Sequence, residues 1–267
     1  MMPIKKRIIS QLREIEREYE VRVLYACESG NRAWGFPSSD SDYDVRFLYL
    51  HPPEWYLSIE KKSDVIEQPV SDQLDIVGWD LQKALLLFSK SNPSLMEWLG
   101  SPIVYLEEYS VARRMRELMG EFYSPIASIY HYLHMAQRNY REYLKGEAVR
   151  FKKYFYVLRP ILAVQWIERG YGIVPTEFEV LVRKVIVDPE LKEAIDTLLK
   201  VKRDGEELDY GPRIDSVSEF IERELERFEH YKVEYEKQPV APLEKLDRLF
   251  VEALVEVWDF VQPWRTH

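Results

Sequence analysis

Residues 28–50 read ESGNRAWGFPSSDSDYDVRFLYL, and their order decides the fold. An apolar run, Val21–Ala26 (VRVLYA), leads into them and reads as a strand because β-branched and aromatic residues suit a pleated, buried backbone. Glu28–Ser41 then gathers Gly, Asn, Ser, Pro and Asp, the composition of a loop, with Ala33–Phe36 as a short turn inside it. Asp44–Leu50 (DVRFLYL) is a second strand, closed by His51-Pro52-Pro53. Asp42-Tyr43-Asp44 opens that strand, and alternate strand residues project to one face about 6–7 Å apart at the backbone. Two carboxylates so placed suit a shared pair of divalent ions, which clamp the attacking and leaving oxygens of a phosphoryl transfer. Hard oxygen donors favour Mg²⁺ or Mn²⁺. An Asp-x-Asp also caps ordinary loops, so its neighbours matter. Gly30 directly follows the first strand and lets the backbone bend closely past a ligand, with free amides turned toward a triphosphate.

Working outward, residues 4–19 carry Ile4, Ile8, Ile9, Leu12 and Ile15 at helical spacing, an amphipathic first helix. Ser63–Pro69 and Gln73–Trp79 are two more strands, paired through a turn near Val70–Asp72. Asp80 is placed to cap a helix over Leu81–Lys90, and Pro93 to occupy the first position of the next. From Glu108 nearly everything reads as helix, over 108–121, 125–145, 149–170, 176–187, 189–203, 215–236 and 243–261. The expected fold class is α+β: a small mixed β-sheet domain with flanking helices over 1–107, then an all-helical domain over 108–267.

Composition narrows the function classes. A chain of 267 residues buries a substantial core, and its aromatic content excludes a disordered polymer. Its single cysteine, Cys27, permits neither an intramolecular disulfide nor a Cys-based zinc cluster, and reads as a small core residue. The charged N-terminus lacks the apolar core of a signal peptide, and no run of about 18 apolar residues offers a membrane span. The expectation is a cytoplasmic protein.

The spacing Gly30-Asn31, ten residues, then Asp-x-Asp resembles the signature of nucleotidyltransferases of the DNA polymerase β superfamily, in which a third carboxylate follows later. Asp75, mid-strand between Leu74 and Ile76, is the candidate, because an acid there is costly to bury unless paired or metal-bound. Asp72, a turn residue, and Asp80, a helix cap, are the alternatives. The stretches ESGNRAWGFPSSDSDYDVRFLY, LDIVGWDLQKALLLFSKSNPSLMEWLGSPIVY and KKYFYVLRPILAVQWI together resemble a bacterial and phage family of nucleotidyltransferases with a branch in RNA-repair operons. They span residues 28 to 167 in order. The resemblance implies a mixed-sheet catalytic domain and a helical domain completing a nucleotide and acceptor cleft. It implies Asp42, Asp44 and Asp75 as ligands of two Mg²⁺ or Mn²⁺ ions and as catalytic residues, and Gly30 and Asn31 as a triphosphate-binding turn. The implied substrates are a nucleoside triphosphate, ATP foremost, and a hydroxyl acceptor such as an RNA end; a protein or small-molecule acceptor, or a nucleotide-binding regulator with little turnover, are the other readings. The family usually has serine at the position of Asn31; an amide still donates to a phosphate oxygen but is larger and differently aimed.

Residues 131–160 hold Arg138, Arg141, Lys145, Arg150, Lys152, Lys153 and Arg159 against Glu142 and Glu147, seven minus two, or +5 in a chain of net charge −9. Such cations neutralise a triphosphate and its pyrophosphate leaving group. Lys152, Lys153 and Arg159, with Arg32 in the loop, are the candidate phosphate contacts. Tyr140, Tyr143, Tyr154 and Tyr156 are interleaved with them, as stacking surfaces or as packing. His131 and His134 lack a carboxylate partner at metal-binding spacing, and Glu219, Arg223 and Glu226 read as a solvated helix face.

Overall fold

The computed structural model describes residues 3–38, 41–69, 73–146, 148–204, 210–229 and 242–260. The first half runs α1 (Ile4–Glu18), β1 (Arg22–Glu28), α2 (Gly30–Trp34), β2 (Tyr43–Leu50), α3 (Pro53–Tyr56), β3 (Val65–Glu67), β4 (Leu74–Asp80), α4 (Leu81–Ser89), α5 (Pro93–Leu99) and β5 (Val104–Glu107). It continues α6 (Val111–Phe122), α7 (Pro125–Tyr143), β6 (Ala148–Arg150), α8 (Phe151–Glu168), α9 (Phe178–Val185), α10 (Pro189–Asp204), β7 (Tyr210–Pro212), α11 (Asp215–Glu229) and α12 (Glu244–Trp258). The α+β class read from the sequence is the observed one.

Five strands form one sheet in the order β3-β4-β2-β1-β5. Only β2 and β4 run parallel; the other neighbours are antiparallel. Residues 23–27 of β1 and 47–50 of β2 are apolar without alternation because both faces are covered there. Ile8, Leu12 and Ile15 of α1 pack on Val23, Ala26, Val45, Phe47 and Tyr49. The opposite face takes Leu24, Tyr25, Cys27, Leu48 and Leu50 against α4, α5, α6 and α12. Cys27 is fully buried and its thiol is pushed up to about 12 by burial, so it is a core residue without reactivity at neutral pH. The caps fall where expected: the Asp80 side chain accepts from Gln82 N at 2.8 Å, and Asn92 accepts from Leu95 N at 3.1 Å ahead of Pro93.

The chain divides into two compact units, and neither is contiguous. One comprises Met1–Ser29, Asp42–Tyr123 and Pro239–His267; the other comprises Gly30–Ser41 and Ser124–Gln238. This differs from a division at 107 in three respects. Helix α6, expected in the helical domain, joins the sheet unit by burying Val111, Ala112 and Met115. The C-terminal α12 does the same with Leu246, Leu249, Ala253 and Leu254. The loop after Ser29 belongs to the helical unit, because Phe36 stacks on Phe155 at 4.6 Å and meets Phe178 edge-on at 5.5 Å. Within that unit α7 and α8 pack side by side, with Leu158, Ile161, Leu162 and Ala163 fully buried. Pro160 lies inside α8 and has no N–H for the carbonyl of Tyr156; Asn139 Nδ2 donates to that oxygen instead, at 3.2 Å.

Five short elements escaped the sequence reading: α2, α3, β5, β6 and β7. Each has three to five residues, too few for a period to emerge. β6 takes the first residues of a helix expected from 149. The turn expected at Val70–Asp72 and the 230–236 end of the helix expected over 215–236 lie outside the described residues.

Two outcomes test this packing. Gly78 is paired with Phe47 across β2 and β4, and a Cβ at Gly78 would overlap the Phe47 ring. Gly78→Ala is expected to lower unfolding free energy by about 1–3 kcal/mol, and adding Phe47→Leu to recover part of it. Urea titrations of the two variants decide this; an additive double variant would refute the clash. Asp80, 1% exposed, has its carboxyl raised from the usual 3.8 to about 6, chiefly by burial and against the bonds it accepts from Tyr56 and Gln82. A raised carboxylate is favourable to the fold below about pH 4, and that advantage is lost as pH rises through about 6. The stability of Asp80→Asn relative to the parent is therefore expected to rise by about 2 kcal/mol between pH 4 and pH 7. A pH-independent difference in urea midpoints would contradict the assignment.

Candidate active site

The parallel register brings Asp44 of β2 directly opposite Asp75 of β4. Both start their strands at one sheet edge, where β1 ends with Glu28, itself the partner of Val45. In β4 the buried positions are Leu74, Ile76, Gly78 and Asp80, which leaves Asp75, Val77 and Trp79 on the other face. Asp44 and Arg46, two apart on β2, share that second face, and the Arg46 guanidinium reaches both carboxylates. Its Nη2 is 2.7 Å from Asp75 Oδ2 and 3.4 Å from Asp44 Oδ1, while Nη1 donates to the carbonyls of Asp75 and Val45 at 3.1 Å. The Asp44 carboxyl is held above its ordinary range by burial first, and then by the like charges of Asp75 and Asp42; Arg46 opposes the shift. Asp42, just ahead of the strand, is exposed.

Glu28 was not singled out by the sequence reading, yet it holds the edge together. It is fully buried; Oε1 accepts from the backbone N of Asp44 at 2.7 Å, and Tyr105 donates to Oε2. Ser101 Oγ donates to its carbonyl at 2.6 Å, and Ser29 N donates to the carbonyl of Asp44 at 2.8 Å. The available signal was an acid closing the apolar run VLYAC, where a charge without partners is costly. Asp80 is occupied otherwise: it caps α4 and accepts from Tyr56 OH at 2.6 Å, at the far ends of β2 and β4. Asp72 lies outside the described residues.

In the helical unit, Gly30 takes a left-handed φ of 59° at the start of α2. Asn31 accepts from Phe36 N at 3.1 Å through its carbonyl, and its buried Oδ1 has no hydrogen-bond partner among the described residues. Arg32 donates to the carbonyl of Ser41 at 2.7 Å, and Lys202 donates to Ser38 Oγ at 2.6 Å. Lys153 lies 3.7 Å from the ring centre of Tyr143 and 5.0 Å from that of Tyr156, and Lys152 is half-buried on the same helix. Arg159 departs from the expectation of a phosphate contact. It is 1% exposed, spreads over the Trp34 ring at 4.8 Å, and lies 3.4 Å from the carbonyls of Pro175 and Thr176. Seven-residue spacing put it in line with Lys152, but that face of α8 points into the core, so Arg159 supports α2 from behind.

The model of the RNA repair pathway DNA polymerase beta family (RlaP) matches residues 4–252. The chain belongs to this family. It is 52% identical over 255 residues, 96% of its own length and 98% of the relative's, to YcgL, an uncharacterized protein of Bacillus subtilis (strain 168). A crystal structure of a nucleotidyltransferase-like protein from Exiguobacterium sibiricum 255-15 aligns over 97% of this chain and 83% of that one, at 13% identity and a TM-score of 0.33, too distant to bear on the chemistry here. Among the described residues no helix is long and apolar enough to cross a membrane.

Among the described residues no three His, Cys, Asp or Glu side chains stand gathered as a finished metal cage. The donor set nevertheless fits a hard divalent ion. Asp44 and Asp75 are adjacent carboxylates that repel one another, and the Arg46 guanidinium supplies the positive charge between them. Arg46→Gln removes that counter-charge. In the presence of chelator it is expected to lower unfolding free energy by about 1.5–3 kcal/mol, with Mn²⁺ narrowing the gap to the parent. Equal stability of variant and parent in chelator, or a gap that Mn²⁺ leaves unchanged, would refute a cation-requiring pair.

Proposed function

We propose that this RlaP-family protein transfers a nucleoside monophosphate from a nucleoside triphosphate, ATP foremost, to a hydroxyl acceptor at an RNA end, with release of pyrophosphate. The observation that carries the reading is the side-by-side register of Asp44 and Asp75 with Asp42 two residues upstream. The acceptor oxygen forms a bond to the α-phosphorus, the bond from that phosphorus to the bridging oxygen breaks, and pyrophosphate leaves with the electron pair. Asp42, Asp44 and Asp75 would hold two Mg²⁺ or Mn²⁺ ions, which when bound supply charge stabilisation for the entering and leaving oxygens. Asp75 accepts the acceptor's proton or lowers its pKa. Glu28 keeps the Asp44 backbone in place through its 2.7 Å bond to the amide. Gly30, Asn31 and Arg32 contact the triphosphate, with the Asn31 amide donating where the family usually has serine. Lys152 and Lys153 add positive charge toward the polyphosphate. Arg159 is left out of this set, since its guanidinium is buried against Trp34.

Pyrophosphate release from each of the four NTPs, with Mg²⁺ or Mn²⁺ and with or without an RNA pool, tests the reading. RNA-stimulated release is expected, reduced about a thousandfold in Asp42→Ala/Asp44→Ala, a loss of about 4 kcal/mol in transition-state stabilisation. Release stimulated by a protein or small molecule instead would move the acceptor to that class. Nucleotide binding without any release would make the protein a nucleotide-binding regulator.

A further inference from the structure

Helix α7 carries a second feature that the carboxylate edge does not use. His131, His134, Arg138 and Arg141 follow one another at intervals of three, four and three residues, the spacing of a single helix face, and Lys145 comes just beyond the helix end at Tyr143. At about 1.5 Å of rise per residue, neighbouring groups stand about 4.5–6 Å apart along the axis. His134, Arg138, Arg141 and Lys145 are exposed. Among the described residues neither Arg138 nor Arg141 has a carboxylate within ion-pair distance; Arg141 Nε donates only to its own helix, at Gln137 O. The face lines an open trough of about 810 Å³, with Tyr130 toward one end and Tyr143 toward the other. Tyr130 is 48% exposed. Glu142 lines the same trough amid the cations.

We infer that this ridge of α7 docks a single-stranded RNA. Arg138 and Arg141, with Lys145 just beyond the helix, make it a local cationic surface in a chain whose net charge of −9 would otherwise repel a polyanion. Tyr130 at one end is a flat, sequence-tolerant surface for a base. Glu142 distinguishes ribose from deoxyribose: a carboxylate beside a DNA backbone only repels, whereas a 2′-hydroxyl donates to it. The inference rests on the transferase reading for the choice of RNA as the strand, but the ridge can be tested apart from turnover.

Fluorescence anisotropy with a labelled, unstructured 12-nucleotide RNA reads binding in the Asp42→Ala/Asp44→Ala background, where transfer is disabled. In that background RNA is expected to bind. Adding Arg138→Gln/Arg141→Gln is expected to weaken binding by about tenfold or more and to flatten the dependence of log affinity on log salt by about 1.4, at about 0.7 per lost phosphate contact. Both arginines are exposed, so an unchanged melting temperature checks the fold. Lys192→Gln/Lys200→Gln, which removes the same charge from exposed positions of α10, is expected to leave affinity unchanged. Parent-like affinity in the arginine variant, an equal loss in the lysine variant, or equal affinity for DNA of the same sequence would each overturn the proposal. Ridge-dependent RNA binding without pyrophosphate release would sink the transferase reading and leave the ridge standing.

Discussion

Two carboxylates placed side by side repel, and the parallel pairing of β2 with β4 imposes that repulsion between Asp44 and Asp75. Much of the sheet edge is arranged around it. Arg46 projects from the same face and bridges both acids, while its second nitrogen holds the carbonyl of Asp75. Glu28, with no exposure to water, uses one carboxylate oxygen to hold the Asp44 amide and receives a hydrogen bond from Tyr105 on the other. A buried acid in that position is tolerated because its lone pairs are met by donors. The strand ends are therefore held by hydrogen bonds and by the Arg46 counter-charge.

Parallel pairing of β2 and β4 requires the chain to return to its starting edge between them. It does so through α3 and β3, the latter pairing antiparallel on the outside of β4. Had β4 followed β2 as a simple hairpin, Asp75 would lie at the opposite edge from Asp44. The far ends of the same two strands have a structural use instead. There Asp80, Tyr56 and the backbone of His51 form a buried hydrogen-bonded group that caps α4 and fixes the sheet's other end.

The helical unit separates its cations by burial. Arg159 is the largest fully buried side chain among the described residues, and its guanidinium lies against Trp34 and near carbonyl oxygens. Together with the stack of Phe36 on Phe155, it makes the loop after Ser29 part of this unit's core rather than a mobile connection. Lys153 stands between two tyrosine rings, and the arginines of α7 are exposed. A count of charges along residues 131–160 merges these populations; only burial distinguishes them.

The sequence by itself determined the α+β class, most long helices to within two or three residues and the strands flanking the Gly30 loop, and it singled out Asp44 and Asp75, which the strand register sets side by side. These are local matters: periodicity, caps and the fixed alternation of a strand are all written in consecutive residues. Tertiary structure alone decided that α6 and α12 cover the sheet, that β5 exists, that Glu28 anchors Asp44, and that Arg159 is buried. Each of these depends on partners far apart in the chain, Tyr105 for Glu28 and Trp34 for Arg159 among them. One-dimensional spacing shows which residues share a helix or strand face, but which face meets water is settled by what packs against it.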